Sequence, residues 1–269
     1  MSSQTPPPPH SRRRPVAYLN EEFLNSPDAR LMRIMAEFLE PLAHFRREKV
    51  RDTVVFFGSA RIREEGPLAK YYRDACTLAR LLTEWSVQFT NGTHRFVVCS
   101  GGGPGIMEAA NRGAYEAGGM TVGLNIGLPF EQFPNPYITP DLSFEFHYFF
   151  MRKFWFAYLA KALVVFPGGF GTLDEMMEVL TLSQTHKLAK KISIFLYGSE
   201  YWKEIINFDA LVKHGMISPE DLALFQYVDD PATAFEMLKK DLEPWAQQHE
   251  IRETPAISKS VNPQKPEGA

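Results

Sequence analysis

The chain has 269 residues, of which 45% are hydrophobic and 13% aromatic, so it can bury a sizeable core. Its net charge of −3 favours neither a nucleic acid nor an anionic membrane as a partner. The two cysteines, Cys76 and Cys99, have no metal-ligand spacing, and no signal peptide or apolar run of about 20 residues is evident. We therefore expect a cytoplasmic protein with buried thiols.

The two ends of the chain differ in composition from the part between them. Residues 1–15 are rich in proline and arginine, and residues 247–269 are polar, so we expect both to be disordered tails. Residues 16–246 are predicted to form a single domain. It begins with a helix at about 27–48, in which apolar residues recur at helical spacing and Pro41 is expected to introduce a kink.

From residue 53 onwards, short apolar runs alternate with helical patterns. Strands are predicted at 53–60, at the start of 95–105, and at 120–128, 142–148, 163–167 and 192–198. Helices are predicted at about 68–82, 106–118 and 149–162, from the last glycine turn to about 187, and at 200–214 and 219–241. Nearly unbroken apolar strands alternating with helices indicate an α/β fold, a doubly wound parallel sheet with helices on both faces.

Three glycine-bearing turns follow predicted strands, at 58–61, 101–105 and 167–172. In a parallel sheet they fall at the carboxyl edge, where ligands bind. The segment GGGPGIMEAA, starting at Gly101, lacks both the dinucleotide fingerprint and the Lys-Ser/Thr pair of a P-loop. We interpret it as a turn that contacts an anion or nucleotide through its backbone, with a purely structural tight turn as the alternative.

The turn PGGFGT, at 167–172, gives a more specific signal for a phosphate site. Its glycines are expected to adopt backbone angles that side chains forbid, and Thr172 is predicted to be the N-cap of the next helix. Asp174 and Glu175 would then lie in the first helical turn, where the helix dipole alone could explain them. A site for a sugar phosphate, with a carboxylate at the sugar, explains both the glycines and the acids.

The segment at 147–163 is apolar on nearly every side, which predicts a helix buried in a core or at a subunit interface. We expect a homodimer or a higher homo-oligomer on this ground. Arg152 and Lys153 lie in its first half. A buried guanidinium needs an anion, which is either an internal carboxylate or a ligand.

These residues resemble the LONELY GUY family of cytokinin-activating phosphoribohydrolases, in its longer class. The family carries a P-G-G-x-G-T-x-x-E motif and an upstream M-x-R-K, which match Pro167 to Glu175 and Met151 to Lys153. The resemblance covers about 50–240, including 58–61, 101–111 and 128–132. It implies a Rossmann-like fold and hydrolysis of the N-glycosidic bond of AMP or N6-prenyl-AMP to a free base and ribose 5-phosphate, with no metal or organic cofactor.

The resemblance also implies roles for individual residues. Glu175 would be the catalytic carboxylate, and Arg152 would act as a fixed positive charge because its pKa exceeds about 12. Asp174 would contact the ribose hydroxyls. The remaining expected substrate contacts are Lys153, Gly168, Gly169, Phe170, Gly171, Thr172, Glu131, Gly102, Gly103, Ser59 and Arg61.

Two other functions remain open at the level of the sequence. The first is a pyridoxal-phosphate lysine decarboxylase in which Lys153 or Lys161 would form the Schiff base. The second is a nucleotide-binding or carrier module of the same superfamily, which would bind AMP and release no adenine. The sequence does not decide between adenine and an N6-prenylated adenine as the base.

Overall fold

A computed structural model describes residues 15–89, 92–127, 133–188 and 190–246. Within them, seven strands form one sheet in the order β4-β3-β2-β1-β5-β6-β7, and every neighbouring pair is parallel. The strands are β1 (Thr53–Phe57), β2 (Val97–Ser100), β3 (Thr121–Ile126), β4 (Ser143–Phe146), β5 (Ala160–Val165), β6 (Ser193–Tyr197) and β7 (Phe225–Val228). The predicted doubly wound parallel sheet is confirmed.

The helices of the described residues cover both faces of this sheet. They are α1 (Glu21–Leu24), α2 (Arg30–Arg47), α3 (Ala69–Ser86), α4 (Ile106–Glu116), α5 (Phe149–Leu159), α6 (Phe170–Gln184), α7 (Ser199–Ile205), α8 (Phe208–Lys213) and α9 (Pro231–Ala246). One hydrophobic cluster joins the sheet to α2, α5, α6, α7 and α8, and the other joins it to α3, α4 and α9. Alternate residues of β1 enter the two clusters, Val55 the first and Val54 the second. None of these helices is long and apolar enough to cross a membrane.

The order of the strands locates the crevice of the sheet. From β1 the chain moves outward through β2, β3 and β4, then returns to place β5 on the other side of β1 and continues to β6 and β7. The connections that leave β1 and β5 therefore diverge to opposite sides. Such a switch point, at the carboxyl ends of the strands, is where open α/β sheets bind ligands.

Three predicted elements need correction. The helix predicted at 149–162 ends at Leu159, because the chain enters the central strand β5 at Ala160. The region 219–241 is a 3-10 turn, the edge strand β7 and α9, so a strand was missed. Two helices, α7 and α8, replace the single one at 200–214, since Asn207 caps a new start at Phe208 by accepting from the Ala210 amide.

The apolar helix α5 packs mainly inside this chain. Trp155 is almost fully buried, and its ring lies 5.7 Å from Phe38 and 5.3 Å from Phe45, both on α2. Phe149 and Phe150, at the start of α5, are about half exposed. The apolar character that predicted a subunit interface is thus largely accounted for by the contact between α2 and α5.

Candidate active site

The three glycine turns meet at the carboxyl edge of β1, β2 and β5. The Ser59 amide, just after β1, donates to the Pro167 carbonyl after β5 at 3.0 Å. The Ser59 carbonyl in turn accepts from the Ile106 amide, the first residue of α4, at 3.1 Å. Two backbone hydrogen bonds at Ser59 therefore join the turns, and Gly58 leaves room for the Ile106 side chain.

A cavity of about 380 Å³ opens at the switch point between β1 and β5. Its lining comes from the turn after β1, the start of α3, the turn after β5 and α7: Ser59, Arg61, Ile62, Arg63, Glu65, Pro67, Leu68, Pro167, Gly168, Gly169 and Tyr201. Arg152 and Glu175 do not line it, so the cavity and the pair formed by these two residues are separate parts of the region. The turn at 167–169 adjoins the cavity and leads directly into the helix that carries Glu175.

The geometry of the PGGFGT turn differs from the sequence prediction in two respects. Helix α6 begins at Phe170 with Gly169 as its N-cap, so Thr172 is the third helical residue and not the cap. None of the three glycines has a positive φ. Gly168 is required because a Cβ there would lie 2.1 Å from Thr172 Oγ1, whereas a Cβ at Gly169 or Gly171 would meet no atom within 4 Å. These last two glycines leave open space beside the backbone.

The start of α6 presents free main-chain donors. The first hydrogen bond of the helix runs from the Leu173 amide to the Gly169 carbonyl at 3.0 Å. The amides of Gly171 and Thr172 precede it and have no carbonyl of the helix to bond, as at any helix start. With open space beside Gly169 and Gly171, they form a suitable site for an anion.

The acidic pair lies one turn deeper than predicted. Because α6 begins at Phe170, Asp174 and Glu175 occupy its second turn, and its first turn contains no acid. The explanation by the helix dipole therefore does not apply to them, since that effect is confined to the terminal turn. Glu175 is only 7% exposed. Its burial raises its pKa to about 7, although Lys153 and Arg152 act in the opposite direction.

Arg152 lies close to Glu175 without forming a hydrogen bond to it. The distance from Arg152 Nη1 to Glu175 Oε1 is 3.9 Å, and the Arg152 Nε donates to the Leu124 carbonyl at the end of β3 at 2.7 Å. The guanidinium also lies over the Phe156 ring, 5.0 Å from its centroid. Burial lowers the pKa of Arg152, and the Glu175 carboxylate opposes that shift. Its side chain is oriented by the protein while its terminal nitrogens stay available to a further oxygen.

Lys153 is paired with two carboxylates of α6. Its Nζ lies 2.8 Å from Asp174 Oδ2 and 2.8 Å from Glu178 Oε2. Partial burial lowers its pKa, but the hydrogen bonds to these two acids raise the pKa further than burial lowers it. Lys153 is thus a charged ammonium with two of its three donors in use, and it offsets the negative charges on either side of Glu175. The sequence did not single out Glu178.

The GGGPG turn is shaped by its protein neighbours. Gly102 and Gly105 have φ of +75° and +73°. A Cβ at Gly105 would lie 2.4 Å from the Ser59 carbonyl oxygen, and one at Gly101 would lie 2.5 Å from Arg152 Nη2. Asn135 Nδ2 donates to the carbonyls of Gly102 and Gly103 at 3.0 and 3.1 Å.

A buried polar network lies behind this turn. Asn135 Nδ2 also donates to Asn111 Oδ1, which accepts from Ser100 Oγ at 2.6 Å, and Ser100 Oγ accepts from the Gly102 amide at 3.0 Å. These asparagines are distant in sequence, so spacing alone did not reveal them. Tyr201 was missed for the same reason, although its hydroxyl donates to the Gly168 carbonyl at 2.8 Å.

The other predicted substrate contacts are distributed around this region. Ser59 and Arg61 line the cavity, and the Arg61 amide donates to Ser59 Oγ at 3.0 Å. Phe170 projects from the turn with 92% of its surface exposed. Glu131, with the whole segment 128–132, lies outside the described residues.

Comparison with known proteins points to one group of enzymes. A family model described as "Possible lysine decarboxylase" matches residues 107–238. The cytokinin riboside 5′-monophosphate phosphoribohydrolase LOG1 of Arabidopsis thaliana is 30% identical over 161 residues, which cover 57% of this chain and 70% of that protein. The probable cytokinin riboside 5′-monophosphate phosphoribohydrolase LOGL5 of Oryza sativa subsp. japonica is 28% identical over 173 residues, 64% of each chain. The chain thus spans slightly less than two thirds of LOGL5.

Among solved structures, the X-ray structure of TM1055 superposes on this chain with a TM-score of 0.50 at 21% identity. The match covers 70% of this chain and 99% of that chain. At this level of identity the likeness concerns the fold alone. It agrees with the parallel sheet described above.

Proposed function

This chain belongs to the LONELY GUY family, and we propose that it hydrolyses the N-glycosidic bond of a purine nucleoside 5′-monophosphate, AMP or N6-prenyl-AMP. The products are a free purine and ribose 5-phosphate. The observation that carries the proposal is Glu175, a carboxyl that is 7% exposed, has a pKa raised to about 7 and lies 3.9 Å from the Arg152 guanidinium. Two turns of sequence before it, the glycine turn offers free amides to a phosphate.

The start of α6 supplies the binding energy for the phosphate in this proposal. The amides of Gly171 and Thr172 donate to phosphate oxygens, and the positive end of the helix dipole attracts the negative charge. The open space at Gly169 and Gly171 admits the ligand to the backbone. A nucleoside without the phosphate lacks these interactions and is a poor substrate.

Glu175 performs the proton transfer in this mechanism. The bond between C1′ and the base nitrogen breaks with its electron pair going to the base, and positive charge develops on the pentose. The Glu175 carboxylate stabilises that charge and takes a proton from the water whose oxygen bonds to C1′. The same carboxyl then donates this proton to the departing base. A pKa of about 7 suits a group that accepts and returns a proton near neutral pH.

Arg152 and Lys153 serve electrostatic roles in this mechanism. Arg152 is anchored by its bond to the Leu124 carbonyl and supplies a fixed positive charge beside Glu175. Its free nitrogens are available to a phosphate or ribose oxygen. Lys153 and its two acids, Asp174 and Glu178, form the second layer, in which Asp174 remains accessible to a ribose hydroxyl because its side chain is 60% exposed.

The decarboxylase function fits these residues poorly. A lysine that forms a Schiff base needs an unprotonated amine, and the pKa of Lys153 is raised by its two carboxylate partners. Burial lowers the pKa of Lys161, but this residue lies near the start of β5, at the opposite end of the strand from the glycine turns. We therefore derive no step through pyridoxal phosphate.

We further propose that the protein forms a homodimer or a higher homo-oligomer. The half-exposed Phe149 and Phe150 at the start of α5 support this proposal, although most of that helix packs within the chain. Sedimentation equilibrium of the full-length protein measures the oligomeric state directly. A monomer at micromolar concentration would contradict the proposal.

A substrate panel tests the proposed reaction. The purified protein is incubated with AMP, N6-isopentenyl-AMP, other monophosphates and the dephosphorylated nucleosides, and the free base and ribose 5-phosphate are quantified. We expect equimolar products from at least one purine monophosphate and far slower cleavage of its nucleoside. Tight binding of AMP without release of adenine from either monophosphate would instead favour the carrier alternative. Equal rates on adenosine and AMP would remove the phosphate site from the mechanism.

A further inference from the structure

Glu37, on α2, contacts the start of α5, the helix that carries Arg152. Glu37 Oε1 accepts a hydrogen bond from the His147 amide at 2.8 Å, and Oε2 accepts one from the Tyr148 amide at 3.2 Å. One carboxylate therefore bonds the two successive amides that precede the first residue of α5. A negative charge at this end also interacts favourably with the helix dipole.

The backbone and the neighbouring side chains reinforce the same contact. The Trp155 indole Nε1 donates to the Glu37 carbonyl at 2.9 Å. The Phe38 ring lies 5.5 Å from the Phe154 ring and 5.7 Å from the Trp155 ring. Helices α2 and α5 are thus joined by three hydrogen bonds from one residue and by aromatic packing from the next.

Tyr148 connects Glu37 to Arg152. The Tyr148 amide donates to Glu37, and the Tyr148 carbonyl accepts from the Arg152 amide at 3.2 Å. Tyr148 is the N-cap of α5, and its own side chain makes no capping bond. The carboxylate of Glu37 therefore stabilises a helix start that lacks a local cap. The position of Arg152, one turn along, depends on how this start is held.

We propose that Glu37 is a positioning residue that orients α5 so that Arg152 can bond Leu124 and lie beside Glu175. The inference rests on the proposed function only where it concerns catalysis. The family model matches residues 107–238, so α2 lies outside the matched part of the chain. The N-terminal helix thus acts on the candidate site through Glu37.

Two substitutions in the full-length protein test this proposal. Glu37→Gln keeps the volume of the side chain but brings an amide donor against two main-chain donors, and Glu37→Ala removes both bonds. Glu40→Gln is the matched control, because Glu40 is exposed on the same helix and carries the same charge. The measurements are amide hydrogen exchange at 147–152, and kcat and KM for the best monophosphate of the substrate panel.

We expect exchange at 147–152 to be roughly 10-fold faster in both Glu37 variants, and kcat to fall by roughly 10-fold, while exchange in the central strands stays as in the wild type. Glu40→Gln should match the wild type in every measurement. If Glu37→Ala does not fold, Glu37→Gln gives the result.

Two results would overturn the proposal. One is wild-type kcat in folded Glu37 variants, even with a lower melting temperature, because a merely structural role predicts this. The other is unchanged exchange at 147–152. Exchange requires no substrate, so it separates this inference from the proposed function. If the wild type releases no base, the proposed function fails, while faster exchange at the Arg152 amide still supports the positioning role.

Discussion

The turns GGGPG and PGGFGT both join a central strand to a helix, but they use glycine for different purposes. In the first, Gly102 and Gly105 have positive φ and are pressed against protein atoms. In the second, Gly169 and Gly171 have no positive φ, and a Cβ at either would enter open space. The first turn needs glycine to fold, and the second has glycine where nothing in the folded chain requires it.

This difference indicates which turn meets the ligand. The carbonyls of Gly102 and Gly103 are already bonded by Asn135, so that turn is stabilised by the protein itself. The amides at the start of α6 remain available, and Glu175 follows in the next turn of the same helix. A glycine that the fold does not need, beside free donors and a buried acid, is expected where a ligand must reach the backbone.

The largest expected effect tests the turn that needs glycine to fold. Gly105→Ala should lower the free energy of unfolding by about 3 kcal/mol or more, because alanine is strained at φ +73° and its Cβ would meet the Ser59 carbonyl oxygen. Urea denaturation followed by circular dichroism measures this. A variant as stable as the wild type would remove the distinction between the two turns.

The second test concerns the acid that follows the open turn. Glu175→Gln should fold normally and reduce kcat on the best monophosphate on the order of 10²-fold or more, because the amide can neither accept the proton from water nor carry negative charge. Single-turnover assays with excess enzyme isolate the chemical step. Near-full activity in a folded variant would mean that the open turn does not serve this reaction.

The third test uses the raised pKa of Glu175. Because this pKa is about 7, against 4.5 for an exposed glutamate, the folded protein binds the proton more tightly than the unfolded chain. The stabilisation from the protonated form is full below about pH 4.5 and is lost as the pH rises through 7. Glu175→Gln should therefore be more stable than the wild type above pH 7, by on the order of 1–3 kcal/mol.

Denaturation at pH 5 and pH 8.5 checks that stability difference, which should be small at the lower pH. If the carboxylate is the active form, kcat of the wild type should rise with an apparent pKa of about 7. A stability difference that does not depend on pH would show that Glu175 titrates normally.

The fourth test places a side chain in the open turn. Gly169→Ala should change the free energy of unfolding by less than about 1 kcal/mol, since its Cβ meets no atom and its φ of −90° is allowed. KM for the monophosphate should rise about 10-fold as the methyl group obstructs the phosphate. Paired measurements on Gly105→Ala give the contrast, and an unchanged KM would argue against binding at this turn.

The smallest expected effect concerns the support of the open turn. Tyr201→Phe removes one hydrogen bond to the Gly168 carbonyl and should cost about 1 kcal/mol of stability. KM should rise more than kcat falls, because Tyr201 supports the binding turn and not the acid. Thermal denaturation and steady-state kinetics measure the two effects, and a loss confined to kcat would contradict this assignment.

Much of the architecture could be predicted from the chain alone. Unbroken apolar strands such as Thr53–Phe57 indicated a parallel sheet, and the glycines after β1, β2 and β5 indicated its ligand-binding edge. Short elements were predicted less well. The edge strand Phe225–Val228 lies between a 3-10 turn and a helix, and its residue Gln226 is exposed, so its four residues gave no strand pattern.

The local geometry of the site was harder to predict. Thr172 was expected as an N-cap, because threonine favours that position, but the glycine before Phe170 lets the helix begin two residues earlier. This shift moved Glu175 from the first turn to the second and removed the dipole as its explanation. Lys153 was expected to contact the substrate, and its pairing with Glu178 depends on how α5 packs against α6.

The sequence by itself determined the class of fold, the edge of the sheet that carries the glycine turns, and the residue types of the candidate site. These follow from periodicity and backbone chemistry, which act between neighbours along the chain. Only the tertiary structure decided which glycines are open, which charges are paired, and that Glu37 contacts the helix of Arg152, 115 residues further along. Burial and pairing depend on what folding brings together from distant segments, and no local pattern contains that information.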